Sequence, residues 1–162
     1  ARAARDAILV GGFDPRFFTP HEWRTTRLLA DLVIPRDERS GSATDAGVPE
    51  FMDFMLMERT SMQTWMRDGL AWLDAESRRR FEATFVDASD AQRAEILDAI
   101  AWPERAAPDV ADGVQFFNRF RDLTATGFWS SRIGVRDLGY QGNAFTPVWN
   151  GCPPAARRHL ET

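Results

Sequence analysis

The stretch Gly127 to Pro154, GFWSSRIGVRDLGYQGNAFTPVWNGCPP, restricts the fold more than any other part of the chain. It holds five of the eleven glycines, the only tyrosine, the only cysteine and two of the six tryptophans. Glycines interrupt regular structure, so neither one unbroken helix nor a plain strand is expected across it. Yet Phe128, Trp129, Ile133, Leu138, Tyr140, Phe145, Val148 and Trp149 carry too much apolar surface for a solvated tail. A segment of this kind wraps its own helical body or presents a face to another protein.

The chain ahead of this stretch reads largely as helices. Phe17-Phe18-Thr19-Pro20-His21-Glu22 is a helix start: Thr19 suits the cap, Pro20 the first helical position, and Glu22 can reach back to the cap amide. Trp23, Leu28, Leu29, Leu32, Val33 and Ile34 follow on a broad apolar face, and Pro35 ends the helix. Residues 35–48, PRDERSGSATDAGV, are loop by composition. Asp37, Glu38 and Asp45 lie there, but their spacing does not fit a twelve-residue calcium loop.

Pro49 opens a second helix, with Phe51, Phe54, Met55, Met62, Trp65 and Met66 as its core stripe. Met52 and Met57 fall off that stripe and are expected at the surface. Gly69 is expected to mark a turn and Asp74 to cap a third helix, whose Arg78-Arg79-Arg80 run reads as a solvated face. Ser89 with Gln92 is a second capping box, opening a short helix that Pro103 ends. A long helix from about Asp109 carries Val110, Val114, Phe117, Phe120 or Arg121, Thr124 and Phe128. No period-two run is long enough for a strand. The fold expected is all-α: about five helices in a compact bundle with a long irregular aromatic C-terminal segment.

At 162 residues and 18.4 kDa, a single domain is expected, over residues 17–162. The opening ARAARDAILVGG has the character of a processed leader or a flexible arm, and residues 1–16 are expected as that arm. A net charge of −4 argues against nucleic acid as the main partner. All twenty basic residues are arginine, which excludes a lysine Schiff base or P-loop. No run of about 18 apolar residues is present, so no membrane span is expected.

Most catalytic templates fail. There is no glycine-rich phosphate loop, no His-Glu-x-x-His and no nucleophile elbow. Two distant histidines, His21 and His159, cannot build a di-iron helix site. Glu22 beside His21 is explained by capping. One cysteine excludes an internal disulfide or a cysteine-based metal site. Cys152 is either a buried inert thiol or, in an oxidising compartment, a contact or disulfide to a partner chain. No catalytic, cofactor-binding or metal-binding residue is assigned.

Phe18-Thr19-Pro20-x-Glu22, Leu29-Ala30-Asp31-x-x-Ile34-Pro35-x-Asp37 and Ser42-Ala43-Thr44-x-Ala46-Gly47-Val48-Pro49 occur in that order. Gly127-Phe128-Trp129, Gly134, Tyr140-x-Gly142-Asn143 and Trp149-x-Gly151-Cys152-Pro153 follow. Together they resemble the gluconate 2-dehydrogenase subunit 3 family, over residues 17–154. The resemblance implies a non-catalytic small subunit of a bacterial FAD-dependent sugar or sugar-acid dehydrogenase, of the glucoside 3- or gluconate 2-type. It implies a large subunit of the glucose–methanol–choline oxidoreductase type that carries the FAD and the catalytic residues, and electron exit towards a cytochrome c. The small subunit would assist folding, cofactor acquisition and export, which places the complex in the periplasm, with the cytoplasm as the alternative because no twin-arginine motif is present. Crowding in the tail nominates Arg132, Arg136, Tyr140, Phe145, Trp149 and Cys152 as contacts to the large subunit. The competing expectations are a stand-alone helical envelope binding or regulatory protein and an independent helical enzyme.

Overall fold

The computed structural model describes residues 13–140 together with Gly142, Pro147, Val148 and Gly151. These residues form six α-helices and no strand: α1 (Pro20–Val33), α2 (Val48–Glu58), α3 (Gln63–Phe81), α4 (Asp90–Ile100), α5 (Ala111–Trp129) and α6 (Arg132–Asp137). The all-α expectation holds, and the sixth helix is cut from the stretch expected to be irregular.

Both capping boxes form. The Thr19 hydroxyl accepts from the Glu22 amide while the Glu22 carboxylate accepts from the Thr19 amide, and Ser89 and Gln92 do the same at the head of α4. Helix α1 stops where expected, with the Ile34 amide donating to Ala30 just ahead of Pro35. Its entry is pinned by Asp53 of α2, whose carboxylate accepts from the backbone amides of Arg16, Phe17 and Phe18. Phe13 stacks on Trp23, so residues 13–16 lie against the helical body.

The middle of the chain differs from the sequence reading. Helix α2 ends at Glu58, a 3₁₀ turn covers Thr60–Met62, and α3 then runs unbroken through Gly69 and Asp74. Gly69 is no turn: a Cβ there would lie 1.8 Å from the Phe116 ring of α5. Gly113 of α5 receives the Trp72 ring of α3 in the same way, with 2.3 Å to a hypothetical Cβ. Each glycine thus seats a ring from the opposite helix. Asp74 caps nothing on α3. It is buried, accepts from the Phe85 amide at 3.0 Å and meets His21 Nε2 of α1 at 2.5 Å. His21 is therefore a tie between α1 and α3 and not a merely exposed residue.

The core line of α2 is Val48, Met52 and Leu56, all fully buried, while Phe51, Phe54 and Met55 are half-buried. Met52 is core and Met57 packs against it, contrary to the expectation that both face outward. Helix α2 is apolar on nearly every side, so spacing alone could not choose its inner face. On α5, Phe116, Phe117, Phe120, Leu123, Thr124 and Phe128 are buried, and Arg121 is exposed. Helix α5 touches α1, α2, α3, α4 and α6, and so runs through the centre of the bundle.

The arginine run is exposed at Arg78 and Arg79, as expected, and is anchored by Glu76. Its carboxylate accepts from Arg79 at 2.7 Å and from Arg80 at 2.6 Å. These bonds, first that of Arg79, hold the Glu76 carboxyl down at about 2. Glu50 moves the other way: burial raises its pKa, Arg27 compensates only at 3.4 Å, and Oε2 has no hydrogen-bond partner among the described residues.

Two expectations follow. An exposed Gly→Ala change inside a helix stabilises by about 1 kcal/mol, but overpacking costs about 1–3 kcal/mol. Gly69→Ala is expected to destabilise by about 2 kcal/mol, read from urea unfolding; a stabilised variant would contradict the ring-on-glycine seam. Glu76 has a folded pKa below its ordinary 4.5, so its contribution is present above that value and lost as pH falls towards 2. Glu76→Gln should therefore be less stable than the parent by about 1 kcal/mol at neutral pH, allowing for solvent screening of the arginines. The gap should close on acidification below 4.5, the ordinary value.

Candidate partner interface

The end of the molecule that carries the nominated residues is built from a tight elbow. Helix α5 ends at Trp129, and the Ser131 amide donates to the Phe128 carbonyl at 2.9 Å. Ser131 then caps α6, its hydroxyl accepting from the Gly134 amide at 3.0 Å. Gly134 rests on the last turn of α5: a Cβ there would come within 2.1 Å of the Phe128 carbonyl oxygen. Helix α6 ends in a Schellman motif. Gly139, at φ +63°, donates to Arg136, and the Tyr140 amide donates to Val135. The glycines of this stretch therefore do not prevent helix. One admits a neighbouring helix and another stops α6 and turns the chain to Tyr140.

Arg132 and Arg136 lie four residues apart on α6 and share a face. Both are exposed, and neither has an ion pair or side-chain hydrogen bond among the described residues. Leu138 and Tyr140 are 60% and 59% exposed, Trp129 40% and Val135 37%. Four large apolar or aromatic side chains thus stand out of one short helix and its flanks. Phe145, Trp149 and Cys152 lie outside the described residues.

The structure adds residues that the sequence reading did not nominate. The loop between α1 and α2 lies against α6, and between them is a cavity of ≈ 560 Å³. It is lined by Arg36, Arg39 and Asp45 from the loop and by Ile133, Arg136 and Asp137 from α6. The Arg39 guanidinium donates to the Asp137 carbonyl at 3.1 Å and meets its carboxylate at 3.2 Å. Arg36 pairs with Asp45 at 2.7 Å.

Aspartates make this loop a defined shape. Asp37 accepts from the amides of Arg39 and Ser40, and Asp45 from that of Ser42. Asp31 of α1 accepts from both the amide and the hydroxyl of Thr44. These backbone donors, from Ser40 first at Asp37 and from Ser42 first at Asp45, hold both carboxyls below the ordinary 3.8. Of the three carboxylates considered for a calcium loop, Asp37 and Asp45 are thus engaged by backbone amides. No group of three His, Cys, Asp or Glu suited to a metal occurs among the described residues. No helix there is long and apolar enough to cross a membrane.

Nothing local marked Arg36 and Arg39 as site residues. The partner of Arg39 on α6 is 98 residues away, Arg36 pairs within its own loop with Asp45, and only the aspartate-rich turn spacing hinted at a rigid loop.

The described residues thus define a small helical domain with one end that is both apolar and arginine-bearing. A family model described as gluconate 2-dehydrogenase subunit 3 matches residues 20–149, and the chain belongs to that family. The family is a subunit of a dehydrogenase complex, which implies a catalytic partner. No curated protein and no solved structure matches the chain.

Asp37 and Asp45 have folded pKa values below 3.8, so the turns they hold are intact above that pH and lost as pH falls below it. Hydrogen exchange corrected for intrinsic rates should show the Ser40 and Ser42 amides losing protection first on acidification. Amides of central α5 should stay protected. Uniform loss across both regions would mean that these carboxylates do not anchor the loop.

Proposed function

We propose that this chain is a non-catalytic small subunit that binds and stabilises the flavin-bearing large subunit of a sugar or sugar-acid dehydrogenase, and assists its maturation or export. The observation that carries this reading is the apolar set Trp129, Val135, Leu138 and Tyr140 around α6, beside two arginines without an ion pair or side-chain hydrogen bond among the described residues. Trp129, Tyr140 and the two arginines are of the types enriched in interface hot spots, and Val135 and Leu138 add apolar surface around them. Family membership supplies the need for a catalytic partner. The resemblance supplies its kind: a glucose–methanol–choline oxidoreductase with FAD, passing electrons to a cytochrome c in the periplasm. Phe145, Trp149 and Cys152 belong to the same proposed contact by their place in the chain.

Isolation from the native host under mild conditions should bring down a yellow, flavin-bearing chain, and a non-reducing gel of that sample shows whether Cys152 bridges the two. Hot-spot truncations cost about 2 kcal/mol or more, so Leu138→Ser combined with Tyr140→Ala should weaken association roughly thirtyfold. The free subunit should lose little of its unfolding midpoint, because both side chains are more than half exposed. A native chain that elutes alone, without flavin, would instead favour a stand-alone binding protein.

A further inference from the structure

The cavity between the loop and α6 has a charge arrangement that singles out one kind of occupant. Three guanidinium groups line it, from Arg36, Arg39 and Arg136, against two carboxylates, from Asp45 and Asp137. Each carboxylate is already committed. Asp45 pairs with Arg36 and accepts from the Ser42 amide, and Asp137 pairs with Arg39. That leaves one positive charge, on Arg136, with no ion pair or side-chain hydrogen bond among the described residues.

A dianionic phosphate would carry one charge too many and would meet the two aspartates in the walls. A cation would meet Arg136. A neutral apolar group would bury the guanidinium unpaired, which is costly. A single carboxylate matches the excess charge and the forked donor geometry of arginine.

The cavity lies beside the exposed Val135 and Leu138, on the helix whose apolar side chains are assigned to the partner. We infer that it seats the carboxylate of one aspartate or glutamate side chain of the catalytic partner, held by Arg136 in a forked pair with Arg36 and Arg39 flanking it. This rests on the small-subunit reading and extends its contact surface to the loop between α1 and α2. The pairing is polar and directional, so it sets the register of two surfaces that apolar contact alone would leave free to slide.

The test uses the two subunits co-expressed and purified as a complex, with the dissociation constant read from the concentration dependence of its mass. Arg136→Gln is expected to raise that constant tenfold or more and to flatten its salt dependence, leaving the unfolding midpoint of the free small subunit unchanged. Arg136→Glu should weaken the complex further. One Asp→Arg or Glu→Arg reversal in a scan of the partner's surface should then restore binding to Arg136→Glu while weakening binding to the unaltered chain. If Arg136→Gln binds normally while Leu138→Ser breaks the complex, this inference fails and the subunit reading survives. If Arg136→Gln and Glu161→Gln lower the midpoint of the free subunit equally, the chain's own carboxylate fills the seat and the inference also fails. Absence of any complex with the unaltered chain overturns the subunit reading and this proposal together.

Discussion

The seam between α3 and α5 is the contact on which the other helices depend. Two rings and two glycines interlock there: Phe116 lies on Gly69, and Trp72 lies on Gly113. A glycine inside a helix costs about 0.5–1 kcal/mol relative to alanine. Fully burying a large side chain returns about 1.5–3 kcal/mol, so the exchange favours the folded seam at the buried Phe116, with the half-buried Trp72 adding a smaller share. The close approach fixes the axis of α5, and α5 meets every other helix. A bulkier residue at either glycine would displace not one contact but the axis against which α1, α2, α4 and α6 are all placed.

The same device recurs at the functional end with backbone in place of a ring. Gly134 lets α6 sit on the Phe128 carbonyl, and the Ser131 cap fixes its direction. Arg39 then ties the loop between α1 and α2 to the far end of α6. Position is thus handed from the seam to α5, from α5 to α6, and from α6 to the loop. Backbone held this way has little left to order when covered, so the remaining cost is that of the exposed side chains, about 0.5–1.5 kcal/mol each. The described end of the tail is a rigid presentation surface, where its glycine content suggested an irregular wrap.

Local signals were legible in the sequence and long-range ones were not. The Thr19 and Ser89 capping boxes, the stop at Pro35 and the inner face of α5 rest on residues within a turn or two of each other. The choice between Phe120 and Arg121 went to the ring, as burial favours. The misreadings share one cause. Gly69, Asp74 and Met52 were judged by what they do to their own stretch of chain, but Phe116, Phe85, His21 and the core decide their roles. At the site, Arg132, Arg136 and Tyr140 could be nominated by crowding. Arg36 and Arg39 could not, because their meaning arises only when the loop lies against α6.

Those loop arginines also show why the ion pairs at this end are poor candidates for stabilising the fold. Exposed pairs contribute about 0–1 kcal/mol, and Arg36 and Arg39 are 69% and 75% exposed in their side chains. Their pairing adds little stability to the free molecule, although it places the loop against α6 and aims the guanidinium groups. Arg136 is likewise exposed while the face stays open. Once a second surface excludes water, the dielectric around all three falls and each charge–charge contact strengthens severalfold. The apolar side chains of α6 are what would exclude that water. The two halves of the face therefore depend on each other: greasy contact without the arginines would be strong but indiscriminate, and arginines without the greasy contact would stay screened. An acidic chain, net −4, that keeps arginines unpaired among the described residues beside its exposed rings has the means for adhesion that is selective only when covered.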